Sequence, residues 1–492
     1  MQIHFIRLKL FTFFVTLFFS HLCLAQDWSK QFEIENDVPG QYSYDSISKK
    51  NYSGITIKII TKKGRNLGGA VEKHARQFEK LTGAKCKIEF VPFPDLYSKD
   101  LWGLKQGTCD IIFGGRKWLA DFAPYLEPLP GKLLASSEYS DITFPFNKLG
   151  MWENQHLMVV IDGDRHFLQY RLDLVKSPPE TWKDFTRIAE KFNKTTVDNG
   201  KIIYGASEIT SKNNLVYAQF FKRAAAYAKH PDVKGGFYFE LSTMKPLINT
   251  PGFVEALRDF VEIQAFYPPG GKTFTLTTAA DSFANGETVL SDMWGDAFYK
   301  AVGKQSPIRN RVGAGISPGA KKVWNRRTGQ WDMFPNVHHV HFIPSSWSAG
   351  VSKNCRHKEA AFDFLGFFAN RANHISDLQD GTLGINSFRA SEQNKAFWVK
   401  HFQLDEKIAS SYVETLKHIS QDSNYVYDLN IPQARRYMRI LSNGITRALT
   451  GRSSPQEALD NVAQQWEELN QIIGIDKQRA AYSNMVQLED RK

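Results

Sequence analysis

The sequence predicts an α/β fold, with mostly parallel sheets flanked by helices. Three observations carry this. From Ile55 to Phe113, short runs of β-branched residues alternate with helical patterns. A second alternation begins at His156 and runs to about residue 290. The chain has 492 residues, 42% of them hydrophobic, enough for two or more domains at roughly 100–200 residues each.

Each element follows from a local pattern. Ile55 to Thr61 reads as the first strand, and Gly64 to Gly69 as a turn. Val71, Ala75, Phe78 and Leu81 share one helical face, closed by Gly83 as a C-terminal cap. Cys86 to Phe93 is a second strand, Leu96 to Lys105 a helix, and Cys109 to Phe113 a short buried strand ending in Gly114-Gly115. Such an alternation gives parallel strands, with ligands bound beyond their carboxyl ends. The loops after Thr61, Phe93 and Phe113 are therefore candidate binding rims. Further on, His156 to Ile161 and Leu168 to Leu174 read as strands. Thr181 caps a helix, Asp184 completes a capping box, and Trp182, Phe185, Ile188, Ala189 and Phe192 form its buried stripe. Phe283 to Trp294 ends a helix and enters a strand. Residues 306–337 are rich in Gly, Pro and Arg and read mostly as loop, followed by a strand from His339 to Ile343. From Lys358 the pattern is helical to the end. Residues 26–52 read as a loose leader and 473–492 as a C-terminal tail.

The N-terminus is patterned for export. Arg7 and Lys9 precede an apolar run from Leu10 to Phe19, and small residues stand at the −3 and −1 positions of a cut after Ala25. This is the pattern of a cleavable signal peptide over residues 1–25, which places the mature chain in the periplasm or outside the cell. Lipid anchoring at Cys23 is not expected, because Leu22 stands where a small residue is needed. Beyond residue 25 no apolar run approaches the roughly 20 residues of a membrane span. Lys and Arg number 62 against 51 Asp and Glu, a net +11 without a basic run, which does not point to nucleic acid. Cys86, Cys109 and Cys355 have no metal-ligand spacing and read as buried thiols.

Several segments together resemble the extracellular solute-binding proteins of ATP-driven (ABC) importers, in the carbohydrate-binding group that includes maltose-binding protein. They are Asp110 to Gly115, Trp118 to Leu129, Val160 to Asp164 with Leu168 to Leu174, Pro178 to Trp182, Phe283 to Asp296, Ser346 to Leu365, Asn430 to Gln433 and Gly451 to Leu459. They keep the family's order and cover about residues 53–472. The resemblance implies a two-lobed periplasmic-binding-protein fold joined by crossing segments. Lobe one would hold 53–160 and 291–345, and lobe two 161–290 and 346–472. It also implies a non-catalytic, monomeric capture protein that closes on a sugar, oligosaccharide or polyol and delivers it to permease subunits, with no cofactor. An alternative keeps the fold but binds an acidic solute such as a sugar acid. A secreted enzyme acting on polysaccharide is a further alternative, with Asp164 and Asp296 as its only obvious carboxylate pair.

Sugars are held by aromatic faces and by hydrogen-bonding carboxylates, amides and guanidinium groups. Trp118, Trp294 and Trp347 are the candidate aromatic faces, and Trp294 resembles the family's stacking residue. Asp164 and Asp296 are the candidate carboxylates. Arg65 and Asn66 follow the first strand, and Gly115 and Arg116 the third. His166, Asn386 and Arg389 complete the expected set. Two other motifs are discounted. Gly315 to Gly319 matches a nucleophile-elbow pattern, but a Lys- and Arg-rich stretch follows instead of an apolar helix. His338, His339 and His341 read as a polar strand rim, with no metal expected.

Overall fold

The computed structural model describes residues 37–197, 200–212 and 215–490. The expected signal segment and residues 26–36 lie outside them. Among the described residues, no helix is long and apolar enough to cross a membrane.

In β1 (Thr56–Lys62) Thr56 and Lys58 are exposed beside buried Ile57, but Ile59, Ile60 and Thr61 are buried in succession, so both faces are covered along the second half of the strand. Ile57 and Ile59 share one buried core with Val71, Ala75 and Phe78 of the helix Ala70–Thr82. Ile60 faces the other way, toward Leu96 and Leu104 of the helix Phe93–Gln106. Gly83 ends the first helix in the left-handed conformation, at φ 75°, as its position predicts. β1 pairs in parallel with β2 (Lys85–Val91) and with β3 (Ile111–Gly115). β15 (Trp347–Val351) lies antiparallel beside β3 and pairs on its far side with β6 (Val159–Val160). The first sheet thus has the order β2-β1-β3-β15-β6. β1 separates Cys86 on β2 from Cys109 before β3, and Cys86, Cys109 and Cys355 are free and buried.

The second sheet has the order β11-β7-β10-β9-β8. Its strands are β11 (Val312–Gly315), β7 (His166–Arg171), β10 (Thr288–Trp294), β9 (Ile202–Ser207) and β8 (Thr195–Thr196). The capping box of Thr181 and Asp184 forms as predicted and starts the helix Trp182–Phe192. Three small pairs complete the strands. They are the hairpin of β4 (Met151–Trp152) and β5 (Gln155–His156), the hairpin of β12 (Ala320–Asn325) and β13 (Gln330–His338), and the parallel pair β14 (His341–Ile343) and β16 (Tyr425–Tyr427).

Strand pairing corrects the expected partition of the lobes. Residues 291–345 belong with the second sheet, and β15 with the helix Lys358–Phe368 belongs with the first. The chain does not return after Trp294, because the helix Gly295–Ala301 folds back on β7, β10 and β11. It crosses at 161–165, returns at 344–346, and passes along the junction a third time from residue 383. The later helices Glu406–Gln421, Ala434–Leu449 and Pro455–Ile473 pack on lobe two.

Three irregular stretches are also more ordered than the sequence suggests. Residues 37–52 are no loose leader: Tyr42, Tyr44 and Ile47 are buried, Tyr44 Oη donates to Asn373 at 2.5 Å, and Tyr52 Oη to Asp363 at 2.6 Å. The stretch 306–337 holds β11 and the β12–β13 hairpin, with Trp324 edge-on to Trp331 across it. Residues 475–490 form a helix whose Tyr482 Oη accepts from the Tyr238 amide at 2.9 Å. In each case aromatic contacts, between buried rings at the two ends and half-buried ones in the hairpin, help set the fold, and they have no short-range period.

Beneath the second sheet, Glu208 is fully buried between two cations. Its Oε1 meets Lys222 Nζ at 2.6 Å and accepts from Arg223 at 3.0 Å, and its Oε2 accepts from Tyr267 at 2.8 Å and again from Arg223. Burial opposes its ionisation, but Arg223 and Lys222 overcome this and hold its pKa down at about 2. Glu208→Gln would leave buried Arg223 without its carboxylate and Lys222 with only Asp292, at 3.1 Å, and about 3–5 kcal/mol of unfolding free energy should be lost in urea titrations. In the wild type the carboxylate's contribution is complete above its ordinary pKa of 4.5 and is lost as pH falls toward about 2. The gap between wild type and variant should close over that interval.

Candidate ligand-binding cleft

Both sheets aim strand ends at one crevice. β1, β2 and β3 deliver their carboxyl ends, and antiparallel β15 delivers Trp347 beside Gly115. From lobe two, β10 ends at Trp294 opposite His166, the first residue of β7. The crevice holds a cavity of about 160 Å³. Lobe one lines it with Lys62, Asn66, Phe93, Gly115, Lys117, Trp118 and Trp347, and lobe two with Asp164, Leu215, Tyr217, Leu276, Trp294 and Asp296. Pro344, Ser345 and Gly384 lie where the chain passes between the lobes.

The walls are aromatic and the polar groups are clustered. Phe93 stands 6.2 Å from the Trp118 ring and 6.0 Å from that of Trp347, with centroids as the reference points. Lys117 Nζ lies 5.8–5.9 Å from the centroids of Phe93, Trp118 and Tyr217, a cation held among three rings. Lys62 Nζ donates to Asn66 Oδ1 at 2.9 Å. Opposite them, the Asn386 side-chain nitrogen donates toward Asp296 at 2.8 Å, Asp164 at 3.0 Å and Asp162 at 3.2 Å. Two hydrogens thus serve three carboxyl groups.

Burial mutes the charges. It is the largest cause raising the pKa values of Asp162, Asp164 and Asp296, and the mutual repulsion of the carboxylates adds to it for Asp162 and Asp164. Burial also lowers Lys62 and Lys117. The cleft is therefore a low-dielectric chamber in which burial disfavours the charged form of each of these groups.

Of the residues expected from sequence, Asn66, Gly115, Trp118, Asp164, Trp294, Asp296 and Trp347 are brought together around the cavity. Asn386 lies just behind it as the shared donor. His166 is buried and edge-on to Trp294, with ring centroids 4.0 Å apart, so it backs the wall without lining it. Three arginines are corrected. Arg65 is exposed and pairs with Asp380 at 2.7 Å. Arg116 is buried away from the cavity, over the Tyr427 ring at 4.4 Å. Arg389 is buried and donates to the carbonyls of Glu138, at 2.6 Å, and Ala369. Sequence reasoning missed Lys62, Phe93, Lys117, Leu215, Tyr217, Leu276, Pro344, Ser345 and Gly384. The rule that ligands meet strand carboxyl ends already pointed at Lys62 and Phe93. Ser317, in the discounted elbow pattern, donates to Asp292 at 3.1 Å and is followed by strand β12.

Two lobes meeting over such a cleft define a solute-binding protein. The chain belongs to the bacterial extracellular solute-binding protein family, which matches residues 73–404. Its fold is similar to an ABC transporter solute-binding protein from Agrobacterium radiobacter K84 in complex with ribitol. The identity is 20% and the TM-score 0.68, over 85% of this chain and 100% of that one. Maltose-bound MalE3 of T. maritima is similar at 18% identity and TM-score 0.65, over 85% of this chain and 100% of that chain. A protein from Agrobacterium vitis S4 with bound D-mannitol is similar at 18% identity and TM-score 0.63, over 86% and 99%.

A carboxyl group with a raised folded pKa stabilises the fold below its unfolded pKa and loses that contribution as pH rises through the folded value. Asp164→Asn removes such a group. Below the ordinary carboxylate pKa of 3.8 wild type and variant should have similar unfolding free energies, and wild type should fall behind as pH rises above it, by about 1.4 kcal/mol per unit of pKa shift. Urea titrations of the ligand-free proteins across this range check it.

Proposed function

We propose that this chain is the exported capture component of an ABC importer. It closes its interlobe cleft on a compact, neutral carbohydrate, a sugar or a polyol, and hands it to membrane permease subunits without chemical change. The observation that carries this reading is the cavity lining: aromatic faces beside hydroxyl-binding groups whose charges burial has muted. The similar structures bound to ribitol, maltose and D-mannitol support it. The volume of about 160 Å³ favours a compact solute over a long oligosaccharide. An acidic solute is not favoured, because Arg65, Arg116 and Arg389 point elsewhere and Asp164 and Asp296 line the same cavity as Lys62 and Lys117. In this reading Asp164 and Asp296 are hydrogen-bond acceptors for hydroxyls rather than a catalytic pair. The protein acts as a monomer, and the mature chain starts at Gln26 after cleavage behind Ala25.

The test is the melting temperature of the mature protein against pentitols, hexitols, monosaccharides, maltose and sugar acids. A ligand at 100-fold its Kd should add about 2.7 kcal/mol, a shift of a few degrees. Trp294→Ala should abolish the shift. A response confined to sugar acids, or turnover of a glycoside in the cleft, would sink the proposal.

A further inference from the structure

Away from the cleft, three potential metal ligands converge at one corner of lobe two. The ligand atoms of His341, His418 and Asp422 all lie within 4.8 Å of one another. His341 opens β14, at the point where that strand pairs with Tyr425 of β16. His418 lies in the last turn of the helix Glu406–Gln421, and Asp422 is the residue that ends it. The corner is stitched together by backbone contacts. The His341 amide donates to Asn424 O at 2.9 Å, and the Asn424 side chain donates to His339 O at 2.5 Å.

Two features set this cluster apart from an ordinary His–Asp pair. His341 is only 4% exposed, so it is not the polar strand rim the sequence suggested. Its Nε2 lies 3.2 Å from Asp422 Oδ2, yet it is buried with no hydrogen bond in acceptable geometry. The Asn424 amide meanwhile occupies Asp422 Oδ1 at 2.8 Å and so orients the carboxylate toward the histidine. The second histidine is exposed, giving an ion a path from solvent and the imidazole room to rotate.

We propose that His341, His418 and Asp422 bind a divalent transition-metal ion of the Zn²⁺ class. Two imidazoles and one carboxylate suit Zn²⁺, Ni²⁺ or Cu²⁺; Mg²⁺ and Ca²⁺ prefer all-oxygen sets. Bonds of about 2.0–2.1 Å in a tetrahedron separate ligand atoms by about 3.4 Å. The His341–Asp422 distance already matches, and rotation of His418 supplies the third ligand. Water takes the fourth position. The ion would clip the end of a lobe-two helix to β14, the strand that runs on into Pro344 and Ser345 of the cleft.

The test uses the mature protein without an affinity tag, titrated with ZnCl₂ at pH 7.5 in a calorimeter and in thermal melts. One equivalent should bind, raise the melting temperature by several degrees, and be stripped by EDTA. Co²⁺ in its place should give the strong visible bands of a four-coordinate ion. His418→Ala and Asp422→Asn, both outside the core, should each weaken binding at least tenfold. His338→Ala should leave it intact, because His338 Nε2 is taken up by the Lys229 carbonyl at 2.8 Å. No binding at 100-fold molar excess of Zn²⁺, or binding undiminished by His418→Ala, overturns the proposal.

Discussion

One buried carboxyl group holds the junction together. Asp162 is fully buried in the first crossing segment. Its Oδ1 accepts from the backbone amide of Asn386 at 2.8 Å and from its side chain at 3.2 Å, and its Oδ2 accepts from the Trp347 amide at 3.4 Å. Asp162, Trp347 and Asn386 lie on the three separate passes of chain between the lobes. A lone buried carboxylate would cost several kcal/mol. Here three N–H donors offset part of that cost, and they also fix where the passes sit relative to one another. Gly163 shows how close the passes are, since a Cβ there would run into the Ser387 carbonyl oxygen. The wall of the cleft, from Trp347 through Asp164 to Asp296, is placed by this knot.

The same knot explains the chemistry of the cavity. Packing three carboxyl groups around one amide nitrogen works only if at least one is readily protonated or a ligand supplies donors. The polyhydroxylated solute proposed above would bring several O–H donors, and its carbon faces would suit Trp118, Trp294 and Trp347. In that proposal, donors from the solute would complete an acceptor-rich floor.

Much of this was legible locally. The helix ending at Gly83, the capping box at Thr181, and the strands through Ile59 and Ile112 follow from residue spacing, and the loops beyond them mark the rim. What escaped was non-local. Nothing near Trp347 states that its strand inserts antiparallel between β3 and β6, and from that insertion follows which lobe owns residues 291–345. Direction was equally hidden at the start of the helix Arg116–Phe122. One residue's rotation separates Arg116, buried over Tyr427, from Lys117 in the cleft. The order of residues 37–52 rests on tyrosines that reach partners more than 300 positions away, as Tyr44 reaches Asn373.

That wiring has a consequence for the birth of the protein. β3 ends at Gly115, and the strand that completes its sheet begins only at Trp347. Lobe two in turn waits for helices beyond residue 400. Neither half can close its core while the chain is still emerging, because loop-closure entropy is paid long before the rewarding contacts arrive. Such high contact order keeps a growing chain slack. If the chain is exported unfolded, as the proposed function implies, late completion of both cores is an asset, and the interleaving of the lobes builds that delay into the topology.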